Sequence, residues 1–97
     1  MLTSKQRSYL KSFAVEMDDI IHVGKDGINE NLVKQVNDAL EARELIKGKL
    51  LQNCMSEVRE VAEGIAKQTK SEVVQVIGRK FVLFRQRKKE SFYQLPR

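Results

Sequence analysis

Apolar and polar positions repeat along this chain with two different periods, and the period switches from stretch to stretch. Leu2, Tyr9, Leu10, Phe13 and Met17, with Gln6 among them, fall on one arc at helical spacing. Thr3 and Gln6 make a capping-box pair, so the spacing predicts a helix over about residues 4–14. Its other side carries Ser4, Arg7, Ser8 and Lys11, an ordinary solvated face. Asp18 and Asp19 end the helix, and Ile20, Ile21, His22 and Val23 have strand character. The segment Gly24-Lys25-Asp26-Gly27 stops that strand sharply.

Asn29 is then a good N-cap, and Ile28, Leu32, Val33, Val36, Ala39 and Leu40 repeat at three and four residues through a second helix. Residues 45–51 alternate instead, which places Lys47 and Lys49 on one face of a strand and a weakening Gly48 at its centre. Ser56 is positioned to cap a third helix that turns Val58, Val61, Ala62, Ile65 and Ala66 inward. Residues 72–77 and 80–85 are strand-like and separated by Gly78-Arg79, the glycine-first dipeptide of a type II′ hairpin. Across that turn Gln75 lies on the same face as Val82 and Val76 on the same face as Phe81, and both faces are largely apolar, so each needs at least partial cover. Helical crossovers from the first strand to the second, and from the second to the third, predict parallel strands with right-handed connections. The chain reads as a single two-layer α/β domain, α-β-α-β-α-β-β, with a mixed four-stranded sheet. Its core covers about residues 2–86, and a polar tail over 87–97 is mobile unless Phe92 and Tyr93 dock.

Length and composition narrow the function classes. Ninety-seven residues hold one core, and no apolar run approaches the ~20 residues that cross a bilayer. One cysteine, Cys54, forbids an internal disulfide and multi-cysteine zinc sites, and His22 is the only histidine. No carboxylate pair or nucleophile triad is visible, so the expectation is a cytoplasmic protein without catalytic activity, metal or cofactor. Charge points to a partner instead. Residues 79–97 hold seven basic side chains against one acidic, whereas the remainder holds eleven against twelve. A near-neutral body with one basic end suits a polyanion, because neutralised phosphates release counterions. The same end also suits an acidic protein partner or a purely solubilising tail.

The candidate chemistry lies in the glycine segment. A turn between a strand and a helix N-terminus offers free amides and a favourable dipole to an anion, and glycines let a phosphate come close to the backbone. A KH-type GxxG loop holds nucleic-acid backbone in this way, and Lys25 adds a point charge. The plainer alternative is that both glycines serve a tight turn through positive φ. Asp26 opposes a phosphate unless Lys25 offsets it or it points away. Neither a P-loop ending nor a third dinucleotide-fold glycine is present. Arg79, Lys80, Arg85 and the 87–89 cluster are consecutive basic features, and only Phe92 and Tyr93 look free to stack on bases.

The segments LTSKQRSYLKSFA, IIHVGKDGINENLVKQVNDALEARELIKGKLLQNC and VVQVIGRKFVLFR, in this order, resemble the CRM domain, named for chloroplast RNA splicing and ribosome maturation, in its stand-alone bacterial YhbY-like form. The resemblance spans about residues 2–86. It implies a fold similar to the C-terminal domain of translation initiation factor three, RNA binding through the GxxG loop, and a role in assembly or maturation of the large ribosomal subunit. The family's loop glycines map onto Gly24 and Gly27. Two departures stand out: Gly48 replaces an apolar β-branched residue, and Asp26 makes the loop less cationic. The expected RNA-binding set is Gly24, Lys25, Asp26, Gly27, Asn29, Lys47, Lys49, Arg79, Lys80 and Arg85. The protein is expected to be a monomer whose partner is RNA of large-subunit precursors, with no membrane or small-molecule substrate. A protein-interaction module that docks an acidic partner is the competing class.

Overall fold

The computed structural model describes residues 2–97. Helix α1 (Ser4–Ala14) leads to β1 (Ile21–Val23), α2 (Glu30–Arg43), β2 (Leu45–Leu50), α3 (Val58–Thr69) and the hairpin of β3 (Glu72–Ile77) and β4 (Lys80–Phe84). The capping box forms as predicted, with Thr3 and Gln6 each bonding the other's backbone amide at 3.1 and 3.0 Å. Asn29 caps α2 by accepting from the Leu32 amide. Ser56 does not cap α3: the chain enters the helix one residue later, at Glu57, with no side-chain cap.

The sheet is four-stranded in the order β1-β2-β4-β3. β1 and β2 are parallel, as the helical crossover requires. β4 folds back between β2 and β3 and pairs antiparallel with both. The second and third strands therefore run in one direction without touching. At the hairpin Gly78 takes φ 58° and Arg79 stays at negative φ, the combination that a II′ turn demands. Gln75 pairs with Val82 and Val76 with Phe81, which puts each pair on one face as read from the turn, and a bulge between Val73 and Gln75 adds one residue to β3.

Alternation in the central strands determines the layering, and the layers number three rather than two. One face of the sheet presents Ile21, Val23, Ile46, Leu50, Phe81 and Leu83 to α2 and α3. The other presents Leu45, Val74, Val82 and Phe84, and α1 covers it with Leu10 and Ala14. With both faces apolar, helices on one side alone would leave the second face wet.

Gly48 proves to be a packing device. A Cβ built there would meet three atoms of the Phe81 ring at 2.3–2.9 Å, so the ring occupies the space that a β-branched side chain would fill. Phe81 is wholly buried as a result.

The C-terminal segment is docked. Tyr93 and Leu95 join the α1-side core, with Tyr93 edge-on to Phe13 at 5.2 Å and to Phe84 at 5.9 Å. Gln6 donates to the Pro96 carbonyl. Phe92 stays out, 65% exposed.

Candidate nucleic-acid interface

Parallel pairing of β1 and β2 brings the C-terminal ends of both strands to one edge, so the loop that follows β1 lies beside the loop that follows β2. The Leu51 amide bonds the Val23 carbonyl at 2.8 Å and joins the two loops. Ile28 anchors the exit of the first loop by packing over α3, where a Cβ on Gly64 would meet Ile28 Cδ1 at 2.7 Å. Between these anchors Gly24–Gly27 makes a closed turn in which the Gly27 amide donates to the Gly24 carbonyl at 3.0 Å.

The two loop glycines have different reasons to be glycine. Gly27 sits at φ 62°, so the turn itself asks for it. Gly24 has no positive φ, and a Cβ there would lie at an ordinary 3.7 Å from Asn53. The fold of the isolated chain does not require a glycine at position 24. Lys25 and Asp26 are exposed at the crest.

Beyond the turn, the Asn29 carboxamide is occupied by the Leu32 amide, while the Glu30 and Asn31 amides have no partner among the described residues. These are the free donors of the α2 N-terminus. They open onto a shallow hollow of about 350 Å³ walled by the glycine turn, His22, Asn31, Gln35 and Asn53. Glu30 stands on the first helical turn beside it, so the hollow combines neutral amide donors with carboxylates and one lysine rather than a dense positive charge.

The cations come from the adjoining sheet face. His22, Lys49, Lys80 and Ile77 are successive partners in one row across all four strands. α1 covers the sheet as far as the row of Val82, and this outer row is left bare. Lys49 therefore shares a surface with the loop through His22, which belongs to both. Asp19 is set within the row: its carboxylate takes His22 Nε2 at 3.0 Å and lies 3.6 Å from the Lys80 ammonium. Desolvation pushes the Asp19 pKa up, but its own backbone amide, the His22 ring and the Lys80 charge outweigh that and hold it below the ordinary value.

The remaining residues of the predicted set are spent elsewhere. Lys47 lies one row further in and bonds the Ala14 carbonyl at 3.1 Å, closing the end of α1. Arg79 is at the hairpin turn, and its guanidinium donates to the carbonyls of Leu50, Leu51 and Cys54 and so holds the β2–α3 loop in shape. Arg85 lies just past the other end of β4 and reaches α2 and α3, where it bonds Asn37, Thr69 and Glu41. The structure thus gathers Gly24, Lys25, Asp26, Gly27, Asn29, Lys49 and Lys80 and separates Arg85 from them. Sequence reasoning did not single out Asn31, Gln35 or Asn53. The parallel β1–β2 pair was the available signal, because ligands of open α/β sheets gather at the carboxyl ends of strands.

The sequence pattern of the CRS1/YhbY (CRM) domain matches residues 2–85. This chain belongs to the CRM family. It is 46% identical to the "Probable RNA-binding protein YqeI" of Bacillus subtilis over 99% of this chain and 100% of that one. An "RNA-binding protein" of Haemophilus influenzae is 32% identical over 99% and 96% of the two chains. Among solved structures, the hypothetical protein SAV1595 from Staphylococcus aureus superposes with a TM-score of 0.84 at 49% identity, covering 99% of this chain and 100% of that chain. The CRM chain has no helix among its described residues long and apolar enough to span a membrane, and no group of three metal-binding side chains.

Proposed function

We propose that this CRM protein is a non-enzymatic RNA-binding protein that holds the phosphate backbone at the glycine turn. Gly24 carries the reading. It is a glycine that neither φ nor crowding demands, placed where the unpaired Glu30 and Asn31 amides open to solvent. Close approach of a ligand to the backbone is the remaining physical use for a missing Cβ at such a place. Lys25, Lys49 and Lys80 add charge along the path by which a strand would leave the hollow over the bare row of the sheet. Asn31, Gln35 and Asn53 supply donors that bear no formal charge. Contacts of this kind position RNA without reading bases, so modest sequence preference is expected. The relatives' printed RNA-binding names support the partner class. The role in large-subunit assembly is the one that family resemblance suggests.

The test is sedimentation of the tagged protein in a lysate gradient with RNA crosslinking across the fractions. A Gly24→Asp variant runs alongside, since its Cβ fits the fold and it adds a carboxylate at the wall of the hollow. Comigration of wild type with large-subunit precursors and crosslinking to their RNA, both lost in the variant, is the expected result. A wild-type protein that stays at the top without RNA would remove both the clamp and the assembly role.

A further inference from the structure

A second positive surface lies beyond the end of β4, away from the glycine turn. β4 has five residues, so about 13 Å of strand separates its first residue from its last. That exceeds the ~10 Å over which exposed charges interact at moderate salt. After Arg85 the chain makes a loop that closes on one carboxylate: Glu44 accepts from the Arg87 amide at 2.8 Å, the Ser91 hydroxyl at 2.7 Å and the Phe92 amide. Glu44 is wholly buried, and its backbone is held at φ 65°, ψ −47°, a region that non-glycine residues rarely occupy. A buried charge and a strained residue are both costly. A tail that merely solubilises the protein would need neither, whereas a loop that must keep one shape would.

The loop presents cations. Arg87, Lys88 and Lys89 join Lys70, the left-handed C-cap of α3, around a hollow of about 540 Å³. Lys70, Lys88 and Lys89 form no ion pair with the described residues, and the paired Arg85 marks the inner wall. Beside them the Arg87 guanidinium lies 5.3 Å from the centre of the exposed Phe92 ring. Exposed lysines beside an exposed aromatic ring suit single-stranded RNA, in which phosphates and unpaired bases are both accessible.

We propose that the Arg87–Phe92 loop, with Lys70, is a second RNA contact, where Lys70, Lys88 and Lys89 neutralise phosphates and Phe92 stacks on an unpaired base. It rests on the RNA-binding reading above and extends it. One RNA would then be held at both ends of the sheet.

The test is fluorescence anisotropy with a labelled single-stranded RNA of about 20 nucleotides, longer than the ~4–16 that one compact face covers. Salt is varied between about 50 and 200 mM. Lys88→Glu/Lys89→Glu is compared with Lys5→Glu/Arg59→Glu, which changes net charge equally at two exposed first-turn sites outside both hollows. The loop variant should bind about tenfold more weakly than the control, and its salt slope should fall by about 1.4 if two phosphate contacts are lost. Phe92→Ala should weaken binding about fivefold or more with the slope unchanged. Thermal melts verify that each variant is folded. If the loop variant binds no worse than the control, the second site is overturned, while loss of binding in Gly24→Asp would still uphold the first. Unchanged binding by Phe92→Ala would overturn the stacking contact. A wild type that ignores RNA but captures labelled polyglutamate through Lys88 and Lys89 would overturn both RNA sites in favour of an acidic protein partner.

Discussion

Two carboxylates do unlike work in this protein. Asp19 sits in the bare row of the sheet, where it offsets the charge of Lys80 and bonds the His22 ring. If RNA passes over that row, Asp19→Asn should free the lysine and tighten binding by roughly two- to fivefold, within the range of exposed ion pairs, as read by anisotropy. Weaker binding would place the RNA elsewhere. Glu44, by contrast, is structural. Burial raises its pKa, but the amides of Arg87 and Phe92, the Ser91 hydroxyl and the Arg87 charge together lower it below the ordinary glutamate value. A carboxyl whose folded pKa is depressed stabilises the fold fully above its unfolded pKa of about 4.3, and that contribution is lost as pH falls through the lower folded value. Glu44→Ala should therefore cost about 2–4 kcal/mol at neutral pH, because three donors lose a charged acceptor. In urea melts the difference from wild type should narrow as the pH is taken below about 4. A pH-independent difference would mean that the carboxylate is not the group that matters.

Among the elements, β2 illustrates how a residue of poor propensity can be a good fit. Glycine at its centre lowers strand propensity, yet the Phe81 ring lies against the bare backbone and leaves no room for a side chain. Gly48→Val, which raises strand propensity, should destabilise the protein by about 1–3 kcal/mol through overpacking. Chemical denaturation measures this, and a more stable valine variant would show that Phe81 can swing aside. The pairing of β2 with β1 also positions the candidate site, since it lays Asn53 against Gly24 and joins the two loops through Leu51 and Val23. Arg79 is part of that scaffold: its three carbonyl bonds make its loss a change of loop shape as well as of charge.

Across the whole molecule, the C-terminal segment completes the second layer of helix-side packing. Tyr93 bridges Phe13 of α1 and Phe84 of β4, so the tail ties the first helix to the last strand. Tyr93→Ala should lower stability by about 1–3 kcal/mol, less than for a fully buried aromatic because the ring is partly exposed. An unchanged melting temperature would mean that the segment is not held in solution. Docking also decides charge geometry, because it keeps the 87–89 cluster at the end of the sheet remote from Lys25, Lys49 and Lys80.

What the sequence determined by itself were the local features. Hydrophobic period, the Thr3–Gln6 box, the Asn29 cap and the Gly78 turn are encoded within a few residues, and the helices, strands and hairpin register follow from them. The glycine turn at a helix N-terminus was legible for the same reason. Only the tertiary structure decided which faces meet. Insertion of β4 between β2 and β3, α1 on the opposite face and the docked tail depend on contacts between residues far apart in the chain. Those contacts sort the basic residues as well. A basic letter in the sequence records a charge, but the fold assigns the guanidinium of Arg79 to three carbonyls and that of Arg85 to α2 and α3, and leaves Lys49 and Lys80 on the surface beside the turn. Hydrogen-bond donors are exhausted by whichever partners the packing brings near, and that allocation has no local signature.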